Sequence, residues 1–181
     1  MYVVSGRLKG EVLKVPLHTR PTSNRVRKSL FSILKDELED KEVLDLYAGS
    51  GSLGIEALSV GAKSCHFVDI KKRCIEIIRQ NLTNLNLLHK GILHCKSSLK
   101  AIKDFYSEEK KFDIIFADPP YYKDEAFKLL QTLDCYDILS PSGLFILQVF
   151  LKDKIFWGVK KYKLILKKRF GQDLILFFTH V

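Results

Sequence analysis

The apolar positions of this chain change period several times along its length, and each change marks an element. The opening "YVVSGRLKGEVLKVP" alternates apolar and polar residues around two glycines, which predicts a small hairpin or a pair of short strands, with Pro16 and Pro21 bracketing its end. With Thr22 or Ser23 as N-cap, Val26, Leu30, Ile33, Leu34 and Leu38 then recur at helical spacing, while Arg25, Lys28, Ser29, Ser32 and Lys35 fall on other faces. That is an amphipathic helix with a basic side. Strands and helices alternate after it: "VLDLY", a helix near 52–60, "CHFVD", and a helix near 71–86 striped by Ile75, Ile78, Leu82 and Leu85. The rhythm continues through "GILHC", a helix around 98–107, "FDIIFAD", a helix around 124–133, and "GLFILQVF". Two strands near 162–168 and 173–179 close the chain, turned by Gly171 and Gln172.

Alternation of this kind predicts an α/β fold with a doubly wound, mostly parallel sheet. Two successive apolar strands at the end add an antiparallel hairpin at one edge, making seven strands rather than the six of the dinucleotide-binding fold. At 181 residues a single domain is expected over 1–181, with a basic hairpin and helix in 1–41 and a Rossmann-like core in 42–181. There is no internal repeat. No window approaches the ~18 apolar residues of a membrane span, so a soluble, unexported, cytoplasmic protein with no membrane partner is expected. Cys65, Cys74, Cys95 and Cys135 are far apart, with no C-x-x-C and no nearby histidine pair. Buried free thiols are expected there, and no metal site.

Charge changes the picture by its distribution. Residues 1–35 carry eight Lys or Arg against Glu11 alone, and residues 152–169 carry eight against Asp153 alone. Between them, residues 36–151 hold 14 basic and 18 acidic residues. Basic ends around a mildly acidic middle suit a polyanion lying across a central site. A solvated basic surface that serves only solubility is the competing reading.

Candidate chemistry lies in that middle. The stretch "LDLYAGSGSLG" places Gly49, Gly51 and Gly54, with Ser50 between the first two, on a strand-loop-helix hinge that fits either a dinucleotide or S-adenosylmethionine. Asp69 ends the second strand, twenty residues past Gly49, where a carboxylate can accept from ribose hydroxyls in both cofactor classes. Asp45 discriminates between them. An acid inside the first strand is costly beneath a pyrophosphate but useful near the ammonium and sulfonium of S-adenosylmethionine, although it could instead only bond loop amides. The tetrapeptide "DPPY", Asp118, Pro119, Pro120 and Tyr121, follows the fourth strand at the carboxyl edge of the sheet, where ligands bind. Its prolines lack backbone donors, so carbonyls and the Asp118 carboxylate form an acceptor-only corner suited to an exocyclic NH2, with the Tyr121 ring stacking on the base. Rate would come from aligning nitrogen, methyl and sulfur.

The blocks "RPTSNRVRKSLFSIL", "LDLYAGSGSLGIEALSVGA", "FVD" and "DPPY" resemble the RsmD family of bacterial methyltransferases over nearly the whole chain. The resemblance implies S-adenosyl-L-methionine as cofactor and methylation of the N2 of a guanine in small-subunit (16S) ribosomal RNA. Ribosomal RNA, or a partly assembled small subunit, would be the partner of a monomeric enzyme. It implies that Asp45, Gly49, Ser50, Gly51 and Gly54 line the cofactor pocket, that Asp69 holds the ribose, and that Asp118 to Tyr121 hold the base. Arg20, Thr22, Arg25 and Arg27 would flank the mouth of the site, and the basic charge of the N-terminal end adds Arg7 and Lys9 as candidate RNA contacts. Several positions depart from the family's pattern. Lys28 stands where an acid is common, Tyr121 replaces phenylalanine, and "FILQVF" lacks a terminal acid. Ser97 and Ser98 stand where an Asp often meets the adenine, so a hydroxyl such as that of Ser98, or backbone groups, would serve instead.

Three other functions compete. A DNA adenine-N6 methyltransferase could use the same corner but would need a target-recognition insert, which is absent here. A silent RNA-binding assembly factor would have no use for the intact glycine loop, Asp69 and DPPY together. A nicotinamide oxidoreductase explains neither Asp45 nor DPPY.

Overall fold

The computed structural model describes residues 1–17, 22–120, 124–151 and 159–181. Seven strands form one sheet: β1 (Glu42–Leu46), β2 (Ser64–Asp69), β3 (Gly91–Cys95), β4 (Phe112–Ala117), β5 (Leu139–Phe150), β6 (Tyr162–Phe170) and β7 (Asp173–His180), in the order β3-β2-β1-β4-β5-β7-β6. The first five strands are parallel, β7 runs antiparallel between β5 and β6, and β3 and β6 are the two edge strands. Being antiparallel to an antiparallel strand, β6 points the same way as β1 to β5. Its own pairing shifts register between Leu164 and Leu166, leaving Ile165 as an extra residue, a bulge of the kind that bends edge strands away from further pairing.

Helices α1 (Asn24–Leu34), α2 (Ser52–Val60), α3 (Lys72–Asn84), α4 (Ser98–Ser107) and α5 (Glu125–Cys135) cover the sheet. Val26, Leu30 and Leu34 of α1 join Ile55 and Leu58 of α2, Ile78 and Leu82 of α3, and Phe67 and Phe116 of the sheet in one apolar layer. Ala101 and Phe105 of α4 with Leu129 and Leu133 of α5 form the layer on the other face, against Leu44, Ile115 and Leu147. Strand residues therefore alternate between two buried faces, which is why β1 and β4 read as continuous apolar runs.

The expected hairpin at the start is reduced to a single antiparallel bridge, Tyr2 with Val12. Tertiary bonds replace a ladder there. The amides of Val4 and Ser5 donate to Glu56 of α2 at 2.7 and 2.9 Å, and that of Arg7 donates to the Ser59 carbonyl at 2.9 Å. Leu38 is buried but lies beyond α1, which stops at Leu34. Of the four thiols expected to be buried, Cys65 and Cys74 are, whereas Cys95 at the end of β3 and Cys135 at the end of α5 are exposed. Both sit at element ends, where the covering layers run out.

Candidate active site

Parallel strands direct their carboxyl ends to one edge, and the chemistry-bearing residues collect there. Asp45 is the fourth residue of β1, Asp69 ends β2, and Asp118 follows directly on β4. The turn after β1 bends sharply: Tyr47, Gly49 and Gly51 all take positive φ (59°, 57° and 77°). At Gly49 a side chain would meet no non-local atom within 4 Å, so the glycine serves conformation and leaves open space beside the loop. Gly54 differs. A Cβ there would lie 2.3 Å from the Phe67 ring and 2.5 Å from Cys65 Sγ, so this glycine, expected at the cofactor, sets how closely α2 packs on β2.

Asp45 is buried and accepts the Gly54 amide at 2.9 Å, supplying a carboxylate to the first turn of a helix whose own cap, Gly51, has no side chain. Burial pushes its carboxyl well above the ordinary carboxylate range, and the nearby charges of Asp118 and Asp69 add to that rise. Asp69 accepts the Gly49 amide at 2.9 Å on one oxygen and the Lys71 amide at 2.8 Å on the other. It thereby ties the glycine loop to the start of α3. Cys74 donates its thiol to the same carboxylate, and burial pushes that thiol up to about 11. Asp118 is half-buried, and its Oδ2 accepts the Thr22 hydroxyl at 3.0 Å. A residue expected at the mouth of the site thus touches the proposed amine acceptor directly. Pro119 is buried and Pro120 exposed, while Tyr121, like Arg20, lies outside the described residues.

The remaining expected positions divide. Ser50 is buried, and its carbonyl accepts from Asn81 Nδ2 at 3.0 Å. Ser97 caps α4, and the buried Ser98 pairs its hydroxyl with that of Tyr47. Arg25 is exposed in the first turn of α1, three residues past Thr22, and so stands beside the site. Arg7 and Lys9 are exposed but lie at the far edge of the sheet, because their loop is bonded to Ser59 at the end of α2, which runs away from the site for about 13 Å. Arg27 corrects the sequence reading outright. Expected on the RNA-facing surface, it is fully buried and ion-paired with Glu56, and it also donates to the Tyr2 carbonyl at 2.8 Å and to Asn24 Oδ1 at 2.5 Å. Its side of the helix faces α2, where an acid waits.

Three contributors escaped the sequence reading. Asn81 accepts the Lys14 amide at 2.9 Å and donates to the Lys14 and Ser50 carbonyls, joining the N-terminal segment to the glycine loop. Its signal was a polar residue beside Ile78 and Leu82 on the apolar stripe of α3. Tyr47 holds a positive φ that is costly for a bulky side chain, and its hydroxyl donates to Glu125 Oε2 at 3.4 Å. Glu56, an acid in the apolar "LGIEALSV", was the partner that Arg27 needed. Basic side chains also rim this edge: Lys71, Lys72 and Arg73 at the start of α3 are exposed, and Lys14 and Arg73 line an open cleft of ≈ 510 Å³ with Glu76 and Gln80. Among the described residues, no helix is long and apolar enough to cross a membrane, and no three His, Cys, Asp or Glu side chains group as metal ligands.

The chain is similar to known proteins in sequence and in fold. The family described as Conserved hypothetical protein 95 matches residues 1–179. YlbH of Bacillus subtilis is 36% identical over 148 residues, covering 81% of this chain and 80% of its own. Ribosomal RNA small subunit methyltransferase D of Haemophilus influenzae is 32% identical over 173 residues, covering 93% and 88%. Among solved structures, YhhF of Escherichia coli superposes with a TM-score of 0.86 at 24% identity, over 99% of this chain and 97% of that one, a likeness of fold. A seven-stranded α/β methyltransferase-type sheet, an acid at the end of each of β2 and β4, and the family match over 1–179 converge: the chain belongs to the Conserved hypothetical protein 95 family, that is, to the RsmD-like family its motifs resemble.

Proposed function

We propose that this protein is an S-adenosylmethionine-dependent methyltransferase that acts on the exocyclic N2 amine of a guanine in small-subunit (16S) ribosomal RNA. One observation carries the cofactor: Asp45, Asp69 and Asp118 stand at the carboxyl ends of three adjacent strands, beside a glycine loop that leaves open space. An edge lined with acidic side chains suits a ligand bearing fixed positive charge better than a pyrophosphate. When bound, S-adenosylmethionine supplies an electrophilic methyl group on a cationic sulfur.

The chain's own residues supply binding and alignment. Asp69, anchored through two amides, keeps lone pairs for the ribose hydroxyls. The loop at Gly49 lets the backbone approach the amino-acid end. Asp118, oriented by Thr22, accepts one hydrogen of the base amine, and carbonyls of the proline pair accept the other. The nitrogen lone pair is thereby aimed at the methyl, and after transfer the surplus proton has a carboxylate within reach. Ribosomal RNA as substrate draws support from the name of the Haemophilus influenzae relative and from the basic rim of Lys14, Arg25, Lys71, Lys72 and Arg73. Incubating the protein with labelled cofactor and 16S rRNA from a strain lacking it, then mapping the modified nucleotide, tests the reading. Label in guanine N2 is expected. Label in adenine N6, or transfer only to DNA, overturns it.

A further inference from the structure

The C-terminal basic cluster is not absorbed by the site described so far, and strand register fixes where part of it lies. Leu46 of β1 pairs with Ala117 of β4, Ala117 with Leu147 of β5, Leu147 with Leu176 of β7, and Leu176 with Lys167 of β6. One row across the sheet therefore runs from the β1 turn to Lys167. The next row, level with Asp118 one residue past Ala117, holds Gln148, Ile175 and Lys168, and the row beyond holds Val149, Leu174 and Arg169. Because β6 points the same way as β4, its basic end emerges at the same edge as the catalytic corner rather than the opposite one. Three strand spacings of about 4.8 Å separate them, roughly 14 Å.

Lys167 and Arg169 are exposed and Lys168 half-buried, and none of the three makes an ion pair among the described residues. Lys168 shares a face with Leu166 and Phe170, which pack against the layer that includes α1. It thus stands on the same side of the sheet as Arg25. Lysines on edge strands commonly serve only to block further pairing. Here the bulge at Ile165 already interrupts the ladder, and the charges are concentrated beyond it, toward the site.

We propose that Lys167, Lys168 and Arg169 form a second phosphate-binding surface for the RNA substrate. It holds the backbone on the far side of the target nucleotide from Thr22 and Arg25, so that the strand crosses the carboxyl edge of the sheet from α1 to β6. This rests on the reading of the protein as an RNA methyltransferase and adds where the RNA leaves the site.

The test compares the full-length protein with a Lys167→Gln, Lys168→Gln, Arg169→Gln variant. A matched Lys35→Gln, Lys63→Gln, Lys111→Gln variant removes equal charge at the opposite edge. Affinity for deproteinised 16S rRNA is measured against salt, with oligomeric state checked by light scattering. Removing three phosphate-binding cations should flatten the slope of log K against log salt by about two to three, and the opposite-edge variant should keep the wild-type slope. S-adenosylmethionine affinity should be unchanged in both. An unchanged slope in the β6 variant overturns this surface alone, as do equal losses in the two variants or a β6 variant that multimerises while its monomer binds RNA normally. Wild-type protein that fails to bind rRNA at low salt overturns the functional reading, and this surface with it.

Discussion

Replacing Arg27 by methionine should destabilise the protein far more than any other change among its surface-patterned arginines. Methionine keeps most of the length and apolar stem but removes the guanidinium. Glu56 would retain the amides of Val4 and Ser5 and lose its one cation among the described residues, while the Tyr2 carbonyl and Asn24 would lose a donor. Stranding one member of a buried pair costs about 3 to 5 kcal/mol. Arg27 Nε has no partner among the described residues, an existing penalty of about 1 kcal/mol that the substitution relieves, so the lower end, about 3 kcal/mol, applies. For a domain of this size each kcal/mol moves the midpoint by roughly 2–4 °C, giving a fall of about 6–12 °C. Calorimetry on the variant, with Arg25→Met as an exposed control expected to shift little, measures it. Adding Glu56→Gln should recover part of the loss, since no charge is then stranded. A fall of less than about 1 kcal/mol, or equal falls for Arg25 and Arg27, would refute the buried-pair account.

Asp118→Ala should lower turnover by roughly two orders of magnitude, the worth of about 2 to 3 kcal/mol of charge-assisted hydrogen bonding, while calorimetric cofactor affinity stays near wild type; wild-type turnover would remove Asp118 from the reaction. Asp69→Ala should weaken S-adenosylmethionine binding ten- to a hundredfold, and undiminished affinity would mean the ribose is held elsewhere. The His66 imidazole is depressed from 6.5 to about 4 by burial and by His94, whose ring nitrogen lies 3.0 Å away. Because its folded value is the lower one, its contribution of at most about 3 kcal/mol is present above pH 6.5 and drains away as pH falls through 4. A melting temperature that drops over that window in wild type, with a flatter profile in His66→Gln, is the expected result; identical profiles would count against it.

What could be read from the sequence, and what could not, follows from the range of the interactions. Helix α2 ends where the periodicity predicts because Gly51 and Gly61 bracket it, and "DPPY" follows β4 because an apolar run and a proline pair are both local signals. The closing hairpin was legible for the same reason. Side-chain direction was not. Helical spacing places Arg25, Arg27 and Lys28 within one turn, and only the tertiary partner Glu56, twenty-nine residues on, sends the middle one inward. The opening alternation "YVVSGRLKGEVLKVP" predicts strands, but backbone donors captured by Glu56 and Ser59 leave a single bridge. Likewise three glycines shared one motif, yet Ile78 and Phe67 crowd Gly51, Phe67 and Cys65 crowd Gly54, and Gly49 stands open.

The capture of Val4 and Ser5 by Glu56 also sets an order of events during synthesis. Those amides wait for an acceptor 52 and 51 residues downstream, and Lys14 waits for Asn81, 67 residues on. Closing loops of that length costs entropy that short-range contacts must first offset. This segment leaves the ribosome before its acceptors do and is therefore among the last to dock, and we expect pulse-labelled hydrogen exchange during refolding to protect β1 and α2 before Val4 and Ser5. Simultaneous protection would contradict this. Arg27 stays hydrated until Glu56 is in place, and we expect the nascent protein to form its sheet before Thr22 meets Asp118.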